Sequence, residues 1–219
     1  MQNILRVLKN AKNAYTVTVN KFYGEKNFRL AYKIIGIFLA VVWAVLFAAF
    51  TVRTVERKII YPLKYEEEIL EVSKKHGVDA AFVFAVANTE SGFDPLSVSE
   101  KGAVGIMQIR AETAAYIAEL RGITEYDIKN EKTNLDFGAY YLKYLSGKFH
   151  GIKEIAAAYN AGEGKVKEWL KNAEYSKDGK ELYKIPYAET SAYVDKILRA
   201  TDKYKKLYGK LLDKQKNFG

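Results

Sequence analysis

Ala80-Ala81-Phe82-Val83-Phe84-Ala85-Val86-Ala87-Asn88-Thr89-Glu90 is apolar for eight residues, turns polar only at its end, and runs straight into Ser91-Gly92-Phe93-Asp94-Pro95. Asp79 suits an N-cap, so the stretch reads as a core helix that stops at a Gly/Pro turn. Its last residue, Glu90, is a carboxylate where burial can raise its pKa. A raised pKa keeps the acid protonated near neutrality and ready to donate a proton. That is the state demanded of the acid in a sugar-cleaving enzyme.

Two further stretches give Glu90 company. Twelve residues on begins Gly102-Ala103-Val104-Gly105-Ile106-Met107-Gln108-Ile109. Its glycines let backbone approach closely, and Gln108 offers an uncharged amide to sugar hydroxyls or an acetamido group. Met107 and Ile109 read as core. The other stretch is Ala156-Ala157-Ala158-Tyr159-Asn160-Ala161-Gly162-Glu163-Gly164, a small-residue helix that stops at glycine and presents Tyr159 and Asn160 near its end. Taken singly, each has a bland reading. Glu90 is then a solvated helix end, Gln108 a surface amide, Tyr159 an ordinary buried ring among 17 tyrosines, and Asn160 a residue that caps or orients its loop.

The chain around them reads as helical and mainly α. Tyr65, Ile69 and Val72 share a face, and His76-Gly77 ends that helix. Helices are expected near 111–120, 134–147, 152–160 and 164–172, with a final one from about 188 to 210. Residues 91–110 read as loop, with room for a short ribbon, and 173–186 as polar and irregular.

Ile34 to Val52 holds 19 residues without a charge, the length of a membrane-spanning helix. A cleaved signal peptide fits poorly, because the apolar core is long, the preceding basic region runs to residue 33 and no A-x-A site follows. The organisation expected is a basic cytoplasmic arm (1–33), a transmembrane signal-anchor helix (34–52), a juxtamembrane linker (53–63), a domain over 64–210 and a tail (211–219). Four Lys/Arg lie within 20 residues of either end of the span, so the local positive-inside signal is a tie. The longer basic arm tips the N-terminus toward the cytoplasm and the C-terminal domain outside.

The net charge of +9 divides unevenly. Residues 1–33 carry seven Lys/Arg against Glu25, or +6, whereas 53–219 carry 28 basic and 25 acidic residues, or +3. A nucleic-acid-binding face on the folded domain is therefore not indicated. With no cysteine and only His76 and His150, disulfides, thiol chemistry and a multi-His metal site are set aside. No metal and no cofactor is expected.

Together the motifs resemble the SLT-type lytic transglycosylases (glycoside hydrolase family 23), which share a lysozyme-like fold with goose-type lysozymes. The matching residues are Glu90 to Pro95, Ser99, Gly102 to Ile109 and Ala158 to Gly162, supported by Asn134 to Gly138 with Tyr141-Leu142, and by Ile185 to Thr190 with Tyr193-Val194. The likeness covers about residues 65–205. Arg110-Ala111 departs from it where the family often has a proline. The resemblance implies a lysozyme-like α (α+β) domain acting on peptidoglycan glycan strands. It also implies Glu90 as the single catalytic acid/base, and Ser99, Gln108, Tyr159, Asn160 and Glu189 as substrate-binding residues.

The residues agree on one point. Ordinary glycosidases need two carboxylates across the scissile bond. Here Asp94 suits a turn, and Glu100 and Glu112 suit a loop and a helix start. Substrate assistance by the 2-acetamido group is then attractive, with Glu90 as acid and then base. Two alternatives stay open: a goose-type muramidase that adds water on the same fold, and a catalytically silent wall-binding or scaffold module of an envelope assembly.

Overall fold

Helix α1 (Gln2–Val55) is one continuous α-helix that passes into a π-helical stretch at Glu56–Ile60. The computed structural model describes residues 2–214, which fall into two units divided between Glu56 and Arg57. In the first unit Ile35, Phe38, Trp43, Leu46 and Phe50 are all exposed. Among the described residues this helix alone is long and apolar enough to cross a membrane, by length and composition. Thr51 and Thr54 return their hydroxyls to the carbonyls of Phe47 and Phe50, at 2.9 and 2.8 Å, so both donors are satisfied within the helix. Residues 2–33 and 53–60, expected as arm and linker, are helical as well.

The second unit holds α2 (Glu66–His76), α3 (Ala80–Glu90), α4 (Ala111–Arg121), α5 (Glu131–Ser146), α6 (Ile152–Ala161), α7 (Glu163–Lys171) and α8 (Ala188–Lys214). Helix α3 is at the centre because it is apolar on every side, with Ala81 to Ala87 no more than 4% exposed. The Asp79 carboxylate caps it by accepting from the Ala81 N–H at 2.9 Å. Helices α2 and α8 pack against it, and α5 and α6 complete the core. Helix α8 turns one stripe inward, with Val194, Ile197, Thr201, Tyr204, Tyr208 and Leu212 buried at helical spacing. The Tyr204 ring stacks on Phe84 at 5.4 Å.

Three local expectations shift. Helix α5 starts at Glu131 because the Asn130 side chain accepts from the Thr133 N–H at 3.1 Å and caps it there. Helix α8 continues to Lys214, through part of the expected tail, because Leu212 still packs on the core. Residues 215–219 of that tail lie outside the described residues. The ribbon in 91–110 reduces to isolated antiparallel bridges, Val98 with Val104 and Val104 with Ile109.

Asp136 on α5 draws the outer helices together. It accepts from Lys75 (2.8 Å) and His76 (2.7 Å) of α2 and pairs with Arg121 of α4 (2.7 Å). Burial by itself raises its pKa, but the hydrogen bonds from His76, Lys75 and Arg121 outweigh burial and hold it well below the usual carboxylate range. A pKa depressed in the folded state stabilises above the unfolded value, about 4, and the gain is lost as pH falls. Asp136→Asn should therefore cost about 2–3 kcal/mol at pH 7, with the deficit shrinking below pH 4. Urea unfolding of the detergent-solubilised chain at both pH values measures this.

Candidate active site

Glu90 ends α3 because the chain must turn there. Gly92 (φ 64°) and Phe93 (φ 67°) both take left-handed backbone. That conformation is strained for phenylalanine, and burial of its ring, edge-on to Phe84 at 6.3 Å, offsets the strain. Ser91 locks the turn by donating to the Ile106 carbonyl at 2.9 Å.

The loop that follows is built on itself. Ser99 N–H donates to the Ala103 carbonyl (2.9 Å), and the Ser99 hydroxyl oxygen accepts from the Ala103 N–H (3.0 Å). Val104 and Ile109 exchange two backbone bonds of 3.1 and 3.0 Å. Asn134 of α5, wholly buried, fixes the loop to the core. Its Oδ1 accepts from the Met107 N–H at 2.7 Å, and its Nδ2 donates to the Val104 and Ile128 carbonyls, both at 2.9 Å. A Cβ on Gly105 would sit 2.5 Å from that Nδ2, so close approach is the reason for glycine there. At Gly102 the space is open and the positive φ of 75° is the reason.

A cleft of about 220 Å³ results, and Glu90, Ser99, Gln108, Tyr159, Asn160 and Glu189 all line it, with Lys101, Arg110, Thr113 and Tyr141. The residues singled out in the sequence are thus brought together. A larger groove of about 790 Å³ lies where α2 and the start of α3 meet Leu212, and none of them lines it.

Several polar atoms in the cleft are already committed. Gln108 takes left-handed backbone (φ 47°) and donates from Nε2 to the carbonyls of Ser97 (3.1 Å) and Gly105 (2.9 Å). Two carbonyl partners fix the amide's orientation and leave Oε1 to accept from a ligand. The Tyr159 hydroxyl donates to the Met107 carbonyl at 2.7 Å, which leaves its oxygen as an acceptor. Asn160 Oδ1 accepts from the Thr190 hydroxyl at 2.7 Å, tying the end of α6 to the start of α8 and leaving Nδ2 as a donor.

Burial pushes the Glu90 carboxyl up to about 7, against the smaller lowering effects of the Tyr193 hydrogen bond and the Lys196 charge. Tyr193 of α8 donates to Glu90 Oε1 at 2.7 Å. With Oε1 accepting, the acid's proton belongs on Oε2. Burial, and after it the Glu90 charge, hold the Tyr159 and Tyr193 phenols well above their usual value, so both stay neutral. Tyr193 is the residue that sequence reasoning missed. It is one of 17 tyrosines and lies 103 positions from its partner. The only signal was its place at the end of the Ile185–Val194 stretch.

A helical domain that holds a carboxyl of raised pKa in a cleft is an arrangement suited to general-acid chemistry, and its relatives say to which class of fold it belongs. The sequence model described as "Transglycosylase SLT domain" matches residues 67–182, over half of the chain, and the chain belongs to that family. It is 31% identical over 155 residues to the soluble lytic murein transglycosylase of Salmonella typhimurium, covering 68% of this chain and 24% of that one. It is 32% identical over 117 residues to the membrane-bound lytic murein transglycosylase C of Edwardsiella ictaluri, covering 47% and 32%. The solved structure of an inactive mutant of the lytic transglycosylase Slt from Pseudomonas aeruginosa superposes with a TM-score of 0.60 at 28% identity, covering 70% of this chain and 25% of that one. The chain thus spans about a quarter to a third of the length of these relatives.

The raised Glu90 pKa has a cost in stability. The folded state holds a proton that the unfolded chain releases near pH 4.5, so stability falls as pH rises from about 4.5 to 7. Glu90→Gln should therefore stabilise the chain by roughly 1–3 kcal/mol at pH 8 and by little at pH 4, as read from thermal melts at the two pH values. Tyr193→Phe removes a hydrogen bond that lowers the Glu90 pKa, and should move the alkaline limb of any Glu90-dependent rate upward in pH.

Proposed function

We propose that this chain is a membrane-anchored lytic transglycosylase that cleaves the β-1,4 bond between N-acetylmuramic acid and N-acetylglucosamine in peptidoglycan. The observation that carries the reading is Glu90: a carboxyl pushed up to about 7, bonded at one oxygen by a neutral phenol, in a cleft with one other carboxylate. That other carboxylate, Glu189, is exposed in the first turn of α8 and lacks the environment of an acid or a nucleophile.

The reaction follows from this single acid. Glu90 Oε2 gives its proton to the glycosidic oxygen as the bond to C1 breaks, and the N-acetylglucosamine end leaves as an alcohol. The acetamido carbonyl oxygen of the muramic acid unit forms a bond to C1 and takes the charge, in place of an enzyme nucleophile. Glu90, now a carboxylate, removes the C6 hydroxyl proton. O6 attacks C1, the acetamido bond opens, and a 1,6-anhydro ring closes with Glu90 protonated again. Water is not consumed. Tyr193 stabilises the transient carboxylate through Oε1, and the free Oε1 of Gln108 and Nδ2 of Asn160 are suited to acetamido and hydroxyl groups.

Membrane anchoring rests on α1 and on similarity to a relative named as membrane-bound. The orientation proposed has a cytoplasmic N-terminus and the domain outside, where the wall lies. The names of the relatives, the intact Glu90 and the motif set together favour an enzyme over a silent scaffold.

Mass spectrometry of purified sacculi digested with the detergent-solubilised chain is the test. Anhydro-muropeptides are expected, Glu90→Gln should lower their release by at least about a hundredfold, and the rate should fall above about pH 7. Reducing-end muramic acid alone would make the chain a muramidase, and equal lysis with and without Glu90→Gln would remove the assignment.

A further inference from the structure

Two cations on one wall of the cleft have no place in the chemistry above. Lys101 is at the tip of the turn Ser99–Gly102, which is closed by Gly102 N–H donating to the Ser99 carbonyl at 2.9 Å. Arg110 follows Ile109 directly, where the bridge to Val104 ends and α4 is about to begin. Both side chains are exposed and both line the cleft with Glu90. The backbone between them is held by the Ser99–Ala103 and Val104–Ile109 bonds and by Asn134, so the two charges ride on one preorganised loop.

Neither charge is consumed by the protein. Among the described residues Lys101 has no ion pair. Arg110 pairs with Glu112 at 3.0 Å, with both side chains more than half exposed. A pair so exposed is weak and costs little to exchange for another anion. Besides Glu90, the cleft is lined by one other carboxylate, Glu189 on α8. The two cations come from the 97–110 loop and that carboxylate from α8.

We infer that Lys101 and Arg110 form a subsite for a carboxylate carried by the substituent on the sugar at the scissile bond, and so select anionic glycan strands. The inference rests on the proposed function. A muramic acid unit bears a lactyl ether beside the acetamido group, ending either in a free carboxylate or in a peptide whose residues carry carboxylates. Either source supplies the same chemistry, a carboxylate for an ammonium and a guanidinium.

Three substrates distinguish the sources: strands with unmodified peptides, strands whose peptide carboxylates have been amidated, and strands stripped of peptide to leave the lactyl carboxylate. With the full chain in detergent, KM for the unmodified strands should be roughly threefold to tenfold below that for amidated strands. Lys101→Met with Arg110→Met should abolish the difference, and Lys101→Glu with Arg110→Glu should reverse it. A low KM for the stripped strands assigns the subsite to the lactyl carboxylate, and a high one assigns it to the peptide. Discrimination that survives the double methionine variant, or its absence from the unsubstituted chain together with a high KM for the stripped strands, overturns the inference.

Binding separates this outcome from failure of the enzymatic reading. In cosedimentation with intact sacculi, the Glu90→Gln chain should bind unmodified material more tightly than amidated material, and should lose that preference when both cations are replaced. A chain that cleaves nothing yet keeps this binding preference loses its proposed reaction and retains the subsite.

Discussion

The buried Asn134 amide is the interaction on which the rest of the site depends. The stretch from Ser97 to Arg110 has too few residues in regular structure to hold itself against the core. Asn134 supplies what a sheet or a helix would, with one acceptor for the Met107 N–H and two donors for the Val104 and Ile128 carbonyls. Losing that amide would leave buried backbone groups unpaired, each at about 1–3 kcal/mol. The same contact dictates glycine at 105, where a Cβ would overlap the amide, and at 138, where it would lie 2.6 Å from Met107 Cγ. Met107 in turn accepts the Tyr159 hydroxyl on its carbonyl, and Ile106 accepts Ser91. One amide therefore sets the loop, the cleft wall and the turn that presents Glu90.

Glu90 itself is a balance between opposing demands. Burial at the end of α3 favours the protonated form, which in the proposed reaction donates to the glycosidic oxygen, and the Tyr193 phenol and the Lys196 ammonium favour the carboxylate proposed for the next step. A second carboxylate close by would upset this balance, because like charges raise one another's pKa and the second group would compete for the proton. A neutral phenol steadies the ionised form without adding charge, and its own raised pKa ensures that it remains a donor.

Much of this was legible because the signals were local. Helix α3 is apolar on every side, so its central position follows from composition alone, and Gly77, Gly122 and Gly162 mark helix ends at the positions where helices stop. Gln108 stood out for its glycine-flanked setting, but that its nitrogen is spent on the loop's own carbonyls is a fact of three-dimensional closure. Asn134 could be noted only as part of a matching stretch, since two of its three partners, Met107 and Val104, lie 27 and 30 positions earlier. Tyr193 was hidden for the same reason at greater distance. The start of α5 was within reach, because Asn130 with Thr133 is a capping pair that outweighed the later onset suggested by the apolar pattern.

Helix α8 joins these elements into one body within the second unit. Its first turns bring Glu189, Thr190 and Tyr193 to the cleft, and its middle closes the core through Tyr204 on Phe84. Further along it grips the segment by which the chain enters the unit. The Tyr204 hydroxyl donates to the Pro62 carbonyl at 3.1 Å, and the Tyr208 hydroxyl lies within 2.9 Å of the Arg57 and Tyr61 carbonyls. The Arg57 guanidinium sits 4.9 Å from the Tyr208 ring, and Asn88, two residues before Glu90, donates to the Ile60 carbonyl at 2.8 Å. Within the second unit, residues 57–62 share hydrogen bonds with both the helix that carries Glu90 and the helix that carries Tyr193, so the start of that unit is fastened to the two elements that build the acid's surroundings.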